Sequence, residues 1–162
     1  MTKISLALIV SVVAFFSSSC VGYQTISFED NTGVIEIFDS LSDSQDLLFI
    51  KANDWMVSTF NDATSVIEYS DKEAGVIIGK YKLHGEINHG LYGVTTDTRV
   101  YAKIEIKVKE NKARVIIKPI GSWQYDSSGI TIYNYSKEDA IADMQKLADS
   151  LEVRLNKVED DF

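Results

Sequence analysis

The segment from Val100 to Lys109 alternates apolar and polar side chains more strictly than any other stretch of the 162-residue chain. Such alternation is typical of an antiparallel strand with one face against a core and the other face in water. The apolar side of the segment consists of Val100, Ala102, Ile104, Ile106 and Val108. The polar side consists of Tyr101, Lys103, Glu105, Lys107 and Lys109. This segment therefore predicts a sheet that is covered on one face only.

Further strands are predicted on both sides of this segment. Lys112–Ile120 reads as its partner strand, and because Pro119 has no N–H to donate, that strand either reaches a sheet edge or ends there. Val66–Tyr69 and Gly75–Tyr81 predict a hairpin. Val34–Phe38 predicts the first strand of the domain. Together these segments predict a sheet of about five strands.

Two amphipathic helices are predicted around the run of strands. Ser42–Gln45 has the Ser-x-x-Gln form of a capping box, and Ser136–Asp139 is a looser match with Asp in the last place. The apolar stripe of the first helix consists of Leu48, Ala52, Trp55, Met56, Thr59 and Phe60, with Lys51 outside it. The stripe of the second helix consists of Ile141, Met144, Leu147, Ala148, Leu151 and Leu155. Both stripes follow the helical period.

The predicted order of elements is β-α-β-β-β-β-α, which indicates an α+β fold. Both helices are expected to pack on one face of an antiparallel sheet, and the other face is expected to be open to solvent. Residues 33–162 are expected to form this single domain.

The N-terminal segment has the parts of a secretory signal peptide. Lys3 precedes an apolar run that is shorter than the roughly 20 residues of a spanning helix, and three serines then precede Cys20. Because Cys20 is the only cysteine, the junction resembles a bacterial lipobox, in which the thiol is lipidated. The alternative is an incidental cysteine behind an ordinary signal peptide. We predict a signal peptide at 1–19, a lipidated N-terminus and tether at 20–32, and a location in the cell envelope, on the outer membrane facing the periplasm.

Charge limits the class of partner. The chain has 24 acidic and 16 basic residues and a formal net charge of −8. An acidic protein repels phosphate backbones, so we expect no nucleic-acid partner.

Several of these segments carry a resemblance to a known family. Trp55, the run Asp71–Lys80 and the run Ile104–Lys109 resemble a family of Bacteroidetes envelope lipoproteins, described as a domain of unknown function with a fold like the TATA-binding protein. The similarity extends over about residues 46–120, and Asp71–Lys80 is its most specific part. The resemblance implies the same α+β fold. It implies no catalytic or ligand residue, and the name of the fold does not imply DNA binding, because function resides in sites.

One group of residues could form a metal site. His84 and Glu86 would share a face of a strand, and His89 could fold back across Gly90 to supply the third ligand that a zinc enzyme needs. The spacing matches no recognised metal motif, so ordinary histidines of a surface loop are the alternative.

Two surfaces could bind a partner. The wet side of the central strand carries Tyr101, Lys103, Lys107 and Lys109, which could bind an anionic partner, although lysines also keep exposed strands soluble. The second surface is an aromatic segment that contains Trp123, Tyr125, Tyr133 and Tyr135. Each i, i+2 pair would share a strand face and could stack on sugars, although aromatic rings also brace a core.

No catalytic constellation is visible in the sequence, because it contains neither a Gly-x-Ser-x-Gly turn nor a glycine loop that opens a helix. We therefore expect no cofactor and a non-catalytic binding or assembly module, anchored to the membrane through Cys20, for an envelope protein or glycan partner. One alternative is a small metal-dependent hydrolase that uses His84, Glu86 and His89. Another is a purely structural spacer.

Overall fold

The computed structural model describes residues 23–27, 32–60, 66–89, 93, 95–126 and 135–158. Within these ranges the chain forms nine strands and two helices. In chain order they are β1 (Tyr23–Ser27), β2 (Val34–Asp39), α1 (Gln45–Thr59), β3 (Val66–Asp71), β4 (Val76–His84), β5 (Ile87–His89), β6 (Thr95–Asp97), β7 (Val100–Lys109), β8 (Lys112–Ile120), β9 (Ser122–Asp126) and α2 (Lys137–Asn156).

Five strands form one antiparallel sheet in the order β2-β8-β7-β4-β3. The strand with the strictest alternation, β7, occupies the centre, where Ile104 pairs with Gly79 of β4 and Ile117 of β8. Along the chain, this sheet and its helices follow the predicted order β-α-β-β-β-β-α. The predicted α+β fold with five antiparallel strands and two helices is confirmed.

Both helices contact the same face of the sheet. The inward side chains Ile104 and Ile106 of β7 are fully buried and belong to one core cluster with Met56 of α1 and with Met144 and Leu151 of α2. Burying one such side chain contributes about 1.5–3 kcal/mol. This core face therefore supplies most of the apolar burial that holds the fold together.

Helix α1 begins two residues later than its sequence pattern predicts. Ser44, rather than Ser42, is the N-cap, and its hydroxyl accepts the N–H of Leu47 at 3.4 Å. The N–H of Gln45 donates to the carboxylate of Glu110 at 3.1 Å. The first turn is thus fixed in part by a side chain 65 residues away, which a local capping motif cannot reveal.

Lys51 lies inside the core, although the sequence pattern places it outside the apolar stripe of α1. Its side chain pairs with the carboxylate of Asp43, and the residue is 2% exposed. Its ammonium group also donates to the carbonyls of Leu155 at 3.2 Å and Lys157 at 2.6 Å, at the end of α2. A buried charge needs such partners, and here they connect the two helices.

Helix α2 begins with the predicted capping box. The N–H of Asp139 donates to the hydroxyl of Ser136 at 3.0 Å, and the N–H of Ser136 donates to the carboxylate of Asp139 at 2.9 Å. The predicted stripe is correct from Met144 onward, but Ile141 is 39% exposed and Ala140 is buried in its place. The stripe therefore begins one residue earlier than expected.

Gly79 lies on the core face of β4, under the end of α1. A Cβ at this position would come within 2.5 Å of the Phe60 ring and 2.6 Å of the Met56 methyl. The glycine therefore allows the close approach of helix and sheet that its place in a strand pattern predicts.

Two small antiparallel sheets complete the description. β5 pairs with β6, and β1 pairs with β9. Strand β1, at Tyr23–Ser27, falls inside the segment predicted to be a tether. In the central sheet, Pro119 is the second-last residue of β8. It lies beyond Ile117, the last residue of β8 that pairs with β2.

No helix in the described part of the chain is both long and apolar enough to cross a membrane. The predicted signal peptide at 1–19 and the predicted lipidation site at Cys20 lie outside the described residues. Both remain predictions.

Candidate functional site: the open face of the sheet

The side of the sheet away from the helices forms a broad surface, which we call the open face. We define it by the outward side chains of the four strands β2, β8, β7 and β4. They are Ile35, Ile37, Asp39, Val76, Ile78, Lys80, Lys82, Tyr101, Lys103, Glu105, Lys107, Lys109, Lys112, Arg114, Ile116, Lys118 and Ile120. Four of them (Tyr101, Lys103, Lys107 and Lys109) are the strand residues that the sequence predicts as a binding surface, so the structure does bring these four together.

Basic side chains on the open face lie directly opposite one another on neighbouring strands. The opposed pairs are Lys109–Lys112, Lys107–Arg114, Lys103–Lys118 and Lys80–Lys103. Directly opposed side chains on neighbouring antiparallel strands have Cβ atoms about 4.5–5.5 Å apart, and like charges at that separation destabilise the sheet. The strand register therefore concentrates positive charge in a way that folding alone does not favour.

Acidic side chains are few on these four strands. Eight of the chain's 16 basic residues lie on the open face, whereas the outward acidic side chains described on its four strands are Asp39 and Glu105. Asp71 of the neighbouring strand β3, opposite Val76, faces the same side of the sheet. Asp39 is 3.7 Å from Lys112 and Glu105 is 3.6 Å from Arg114, longer than the roughly 2.7–2.9 Å of a strong charge-assisted hydrogen bond. Within the described residues, the side chains of Lys103, Lys107 and Lys109 form no ion pair or hydrogen bond.

A shallow depression of about 460 Å³ lies at the corner of the open face where β2, β8 and β7 meet. Its basic lining consists of Lys107, Lys109, Lys112 and Arg114. Ile37, Ala113 and Asp39 complete the lining. The depression is thus a basic pocket with one apolar wall and one carboxylate.

Tyr101 lies at the opposite end of the open face. The Lys80 ammonium is 4.0 Å from the centre of its ring, and the Arg99 guanidinium is 5.6 Å from it. Both cations attract the ring quadrupole. Nearby, the Arg99 guanidinium hydrogen-bonds both carboxylate oxygens of Asp97 and lowers the pKa of that carboxyl to about 2.

The binding surface predicted from the sequence does not include the exposed aliphatic side chains of the open face. Ile35 and Ile37 of β2 are 59% and 60% exposed, and Ile120 of β8 is also exposed. The sequence does contain a signal for these side chains, because the strand Val34–Phe38 carries apolar residues on both of its faces rather than on one. Such a pattern predicts either a second covered face or an exposed apolar surface.

The structure describes only part of the predicted aromatic surface. Trp123 and Tyr125 belong to β9, but their side chains, and all of Tyr133, lie outside the described part of the structure. Tyr135 lies outside any strand and directly before the N-cap Ser136, and it is only 7% exposed. The expectation of a shared strand face is therefore not met at Tyr135.

Tyr135 instead braces the start of α2. Its ring stacks on His84 with centroids 4.4 Å apart, and its hydroxyl donates to the Asp143 carboxylate at 3.0 Å. Burial, together with the hydrogen bond to Asp143, raises the pKa of Tyr135 far above its usual range. The hydroxyl is a structural donor rather than an acid at neutral pH.

The predicted metal ligands do not converge. His84 ends β4 and stacks on Tyr135, Glu86 pairs through its backbone with Thr98, and His89 lies on β5 opposite Thr95. Among the described residues, which include all three, no group of His, Cys, Asp and Glu is placed to hold a metal ion. The hydrolase alternative therefore has no metal site in this part of the chain.

Two solved structures have a fold similar to this chain. One is a DUF4468 family protein from Bacteroides ovatus ATCC 8483, with 14% identity, a TM-score of 0.54, and coverage of 82% of this chain and 91% of that protein. The other is a TBP-like protein from Parabacteroides distasonis ATCC 8503, with 14% identity, a TM-score of 0.51, and coverage of 81% and 97%. At this identity the likeness shows the fold alone. No curated protein matches the sequence.

The sequence also matches a family over residues 35–122, which is more than half of the chain. The family is described as a domain of unknown function (DUF4468) with a TBP-like fold. The matched residues include helix α1 and, apart from Val34 at the start of β2, all five strands of the central sheet, in agreement with the resemblance noted in the sequence. The chain therefore belongs to the DUF4468 family, whose domain has a TBP-like fold and no known function.

Proposed function

We propose that this protein is a lipid-anchored, non-catalytic binding module of the cell envelope, and that its open face binds a negatively charged envelope protein or glycan. The observation that carries the proposal is the separation of charge. Half of the basic residues gather on one face of a protein with a net charge of −8. Such a face attracts anionic partners and orients them, while the acidic remainder of the surface repels them.

Like-charged pairs support a binding role over a purely solubilising one. Isolated lysines on exposed strands suffice to keep a sheet soluble. Placing Lys107 opposite Arg114 and Lys109 opposite Lys112 adds repulsion that solubility does not require. A partner that brings negative charge would relieve this repulsion and gain binding energy from it.

The anchor is supported by the sequence around Cys20. Only two residues separate Cys20 from Tyr23, where β1 begins. Two or three extended residues span roughly 10 Å, so lipid on Cys20 would hold the folded domain close to the membrane.

The predicted location in the cell envelope and the overall negative charge both disfavour nucleic acid as the partner, despite the basic face.

Crosslinking in intact envelopes tests the proposal. The native lipidated protein is compared with the double variant Lys103→Glu/Lys107→Glu and with a matched control, Lys72→Glu/Lys146→Glu, whose lysines are exposed and lie off the open face. We expect the same partner with native protein and control, and a loss of about tenfold or more with the open-face variant. Cys20→Ala should reduce capture by releasing the protein from the membrane.

Equal capture by the open-face variant and the control would contradict the proposed binding surface. Reproducible turnover of an envelope substrate, lost on substitution of residues in this domain, would contradict a non-catalytic role.

A further inference from the structure

We infer that the basic depression at the corner of the open face is a binding site for a glycan that carries two neighbouring phosphate groups. The inference rests on the proposed function and assigns the ligand class for part of the same surface. Lys107, Lys109, Lys112 and Arg114 are the phosphate-binding residues, and Ile37 forms the apolar wall against the sugar.

The four cations form a near-square arrangement. Lys107 lies opposite Arg114, and Lys109 lies opposite Lys112. Opposed side chains on these strands are about 5 Å apart at Cβ, and residues i and i+2 on one strand are about 6.7 Å apart. Phosphates on adjacent ring carbons have a similar separation, so each phosphate can contact one cross-strand pair of cations.

The charges also match. The four cations carry four positive charges, and Asp39 is the only acidic residue in the lining. A phosphomonoester carries about −1.5 to −2 at pH 7, so two of them bring about −3 to −4. A ligand with two phosphates therefore neutralises the depression nearly completely. A single phosphate would leave one cross-strand pair of cations without an anionic partner.

Available donors further favour this ligand. The side chains of Lys107 and Lys109 make no ion pair or hydrogen bond within the described residues, so both ammonium groups can turn toward a ligand. Lys112 and Arg114 hold their acidic neighbours at 3.7 and 3.6 Å, distances that a ligand phosphate can improve upon.

Three of the four cations are lysines, which bind phosphate as point charges. The volume of about 460 Å³ suits a small ring with its substituents. Ile37, 60% exposed at the rim, offers the ring an aliphatic surface.

Calorimetry on the full-length protein in a neutral detergent tests the site. The probe is myo-inositol hexakisphosphate, which carries phosphates on adjacent ring carbons, and the comparisons are inorganic monophosphate and polyglutamate. We expect hexakisphosphate to bind at least about tenfold more tightly than either comparison. The variant Lys107→Gln/Lys109→Gln should weaken hexakisphosphate binding about tenfold or more.

A matched control is available off the open face. Lys72→Gln/Lys146→Gln removes the same charge from exposed positions and leaves the depression intact, and it should weaken binding less than about threefold. An equal loss in both double variants, or equal binding of polyglutamate, would overturn the phosphate site. If hexakisphosphate fails to bind while the envelope partner still crosslinks through the open face, the phosphate site is overturned and the proposed function stands.

Discussion

The two faces of the central sheet are built from the same strands but follow opposite rules. On the core face, Ile104 and Ile106 are fully buried under two helices. On the open face, the intervening Lys103, Glu105 and Lys107 face away from the helices, and three of the six side chains directly opposite them are basic: Lys80, Lys118 and Arg114. One strand, β7, thus carries a surface selected by packing and a surface that packing does not explain.

The difference separates what the fold requires from what it leaves free. Removing a side chain from the core face opens a cavity, whereas exchanging one on the open face leaves the packing intact and changes its charge interactions with opposed side chains and its contact with solvent. The like-charged pairs on the open face reduce stability rather than add to it. Their presence is therefore better explained by binding than by folding.

The sharpest test of the comparison uses adjacent residues of β7. Ile104→Ala should lower the free energy of unfolding by about 2–5 kcal/mol, because it leaves a cavity between the sheet and the helices. Lys103→Ala, one residue earlier, should change it by less than about 0.5 kcal/mol. Urea denaturation measures both, and similar losses would show that the two faces are not energetically distinct.

A second test concerns Lys51, the buried lysine of α1. Lys51→Met should lower the free energy of unfolding by about 1–3 kcal/mol, because Asp43 and two carbonyls at the end of α2 lose their donor. Lys72→Met is the matched control, since Lys72 also pairs with an aspartate but in solvent, and it should cost less than about 0.5 kcal/mol. Equal thermal denaturation of the two variants would argue against a structural role for Lys51.

A substitution that reverses a charge on the open face should raise the free energy of unfolding rather than lower it. Lys103→Glu places a carboxylate opposite Lys80 and Lys118, which turns two repulsive pairs into attractive ones. We expect a gain of about 0.5–1 kcal/mol in the free energy of unfolding at low salt, which shrinks as salt screens the charges. A loss of stability in urea denaturation at low salt would contradict the claim that this row of cations opposes folding.

The smallest expected effect is a change in stability at acidic pH. Hydrogen bonds from the backbone and hydroxyl of Ser136 lower the pKa of Asp139 below its usual value of about 3.9. The unfolded chain therefore binds this proton more readily, so the stabilisation is complete above about pH 4 and is lost as the pH falls through the lowered pKa. Asp139→Asn should lose stability less steeply than the native protein below about pH 4. Glu138→Gln, one residue away, is the control, and parallel curves for the native protein and Asp139→Asn would contradict the contribution of this cap.

Features encoded locally could be predicted from the sequence. Strand β8 begins and ends where its pattern predicts, at Lys112 and Ile120. The alternation of apolar and polar side chains along a strand indicates which of its faces is covered. The capping box at Ser136 is likewise complete within four residues. The four predicted residues of the β7 surface share one face for the same reason.

Features that depend on distant parts of the chain could not be predicted. Lys51 is polar in sequence, and only the end of α2 supplies the carbonyls that allow its burial. The cation square depends on the register between β7 and β8 and on the position of β2 beside them. His84 looks like a possible metal ligand until Tyr135, 51 positions later, is found stacked against it.

The final helix determines when this protein can complete its fold. β2 must find β8, with Val34 opposite Ile117, and α2 then covers the sheet with the last described segment of the chain. A chain truncated before Lys137 would leave much of an apolar sheet surface in water. Folding that depends on such distant contacts is slower than folding through local contacts, so we expect the complete core to form late, after the whole of α2 is available.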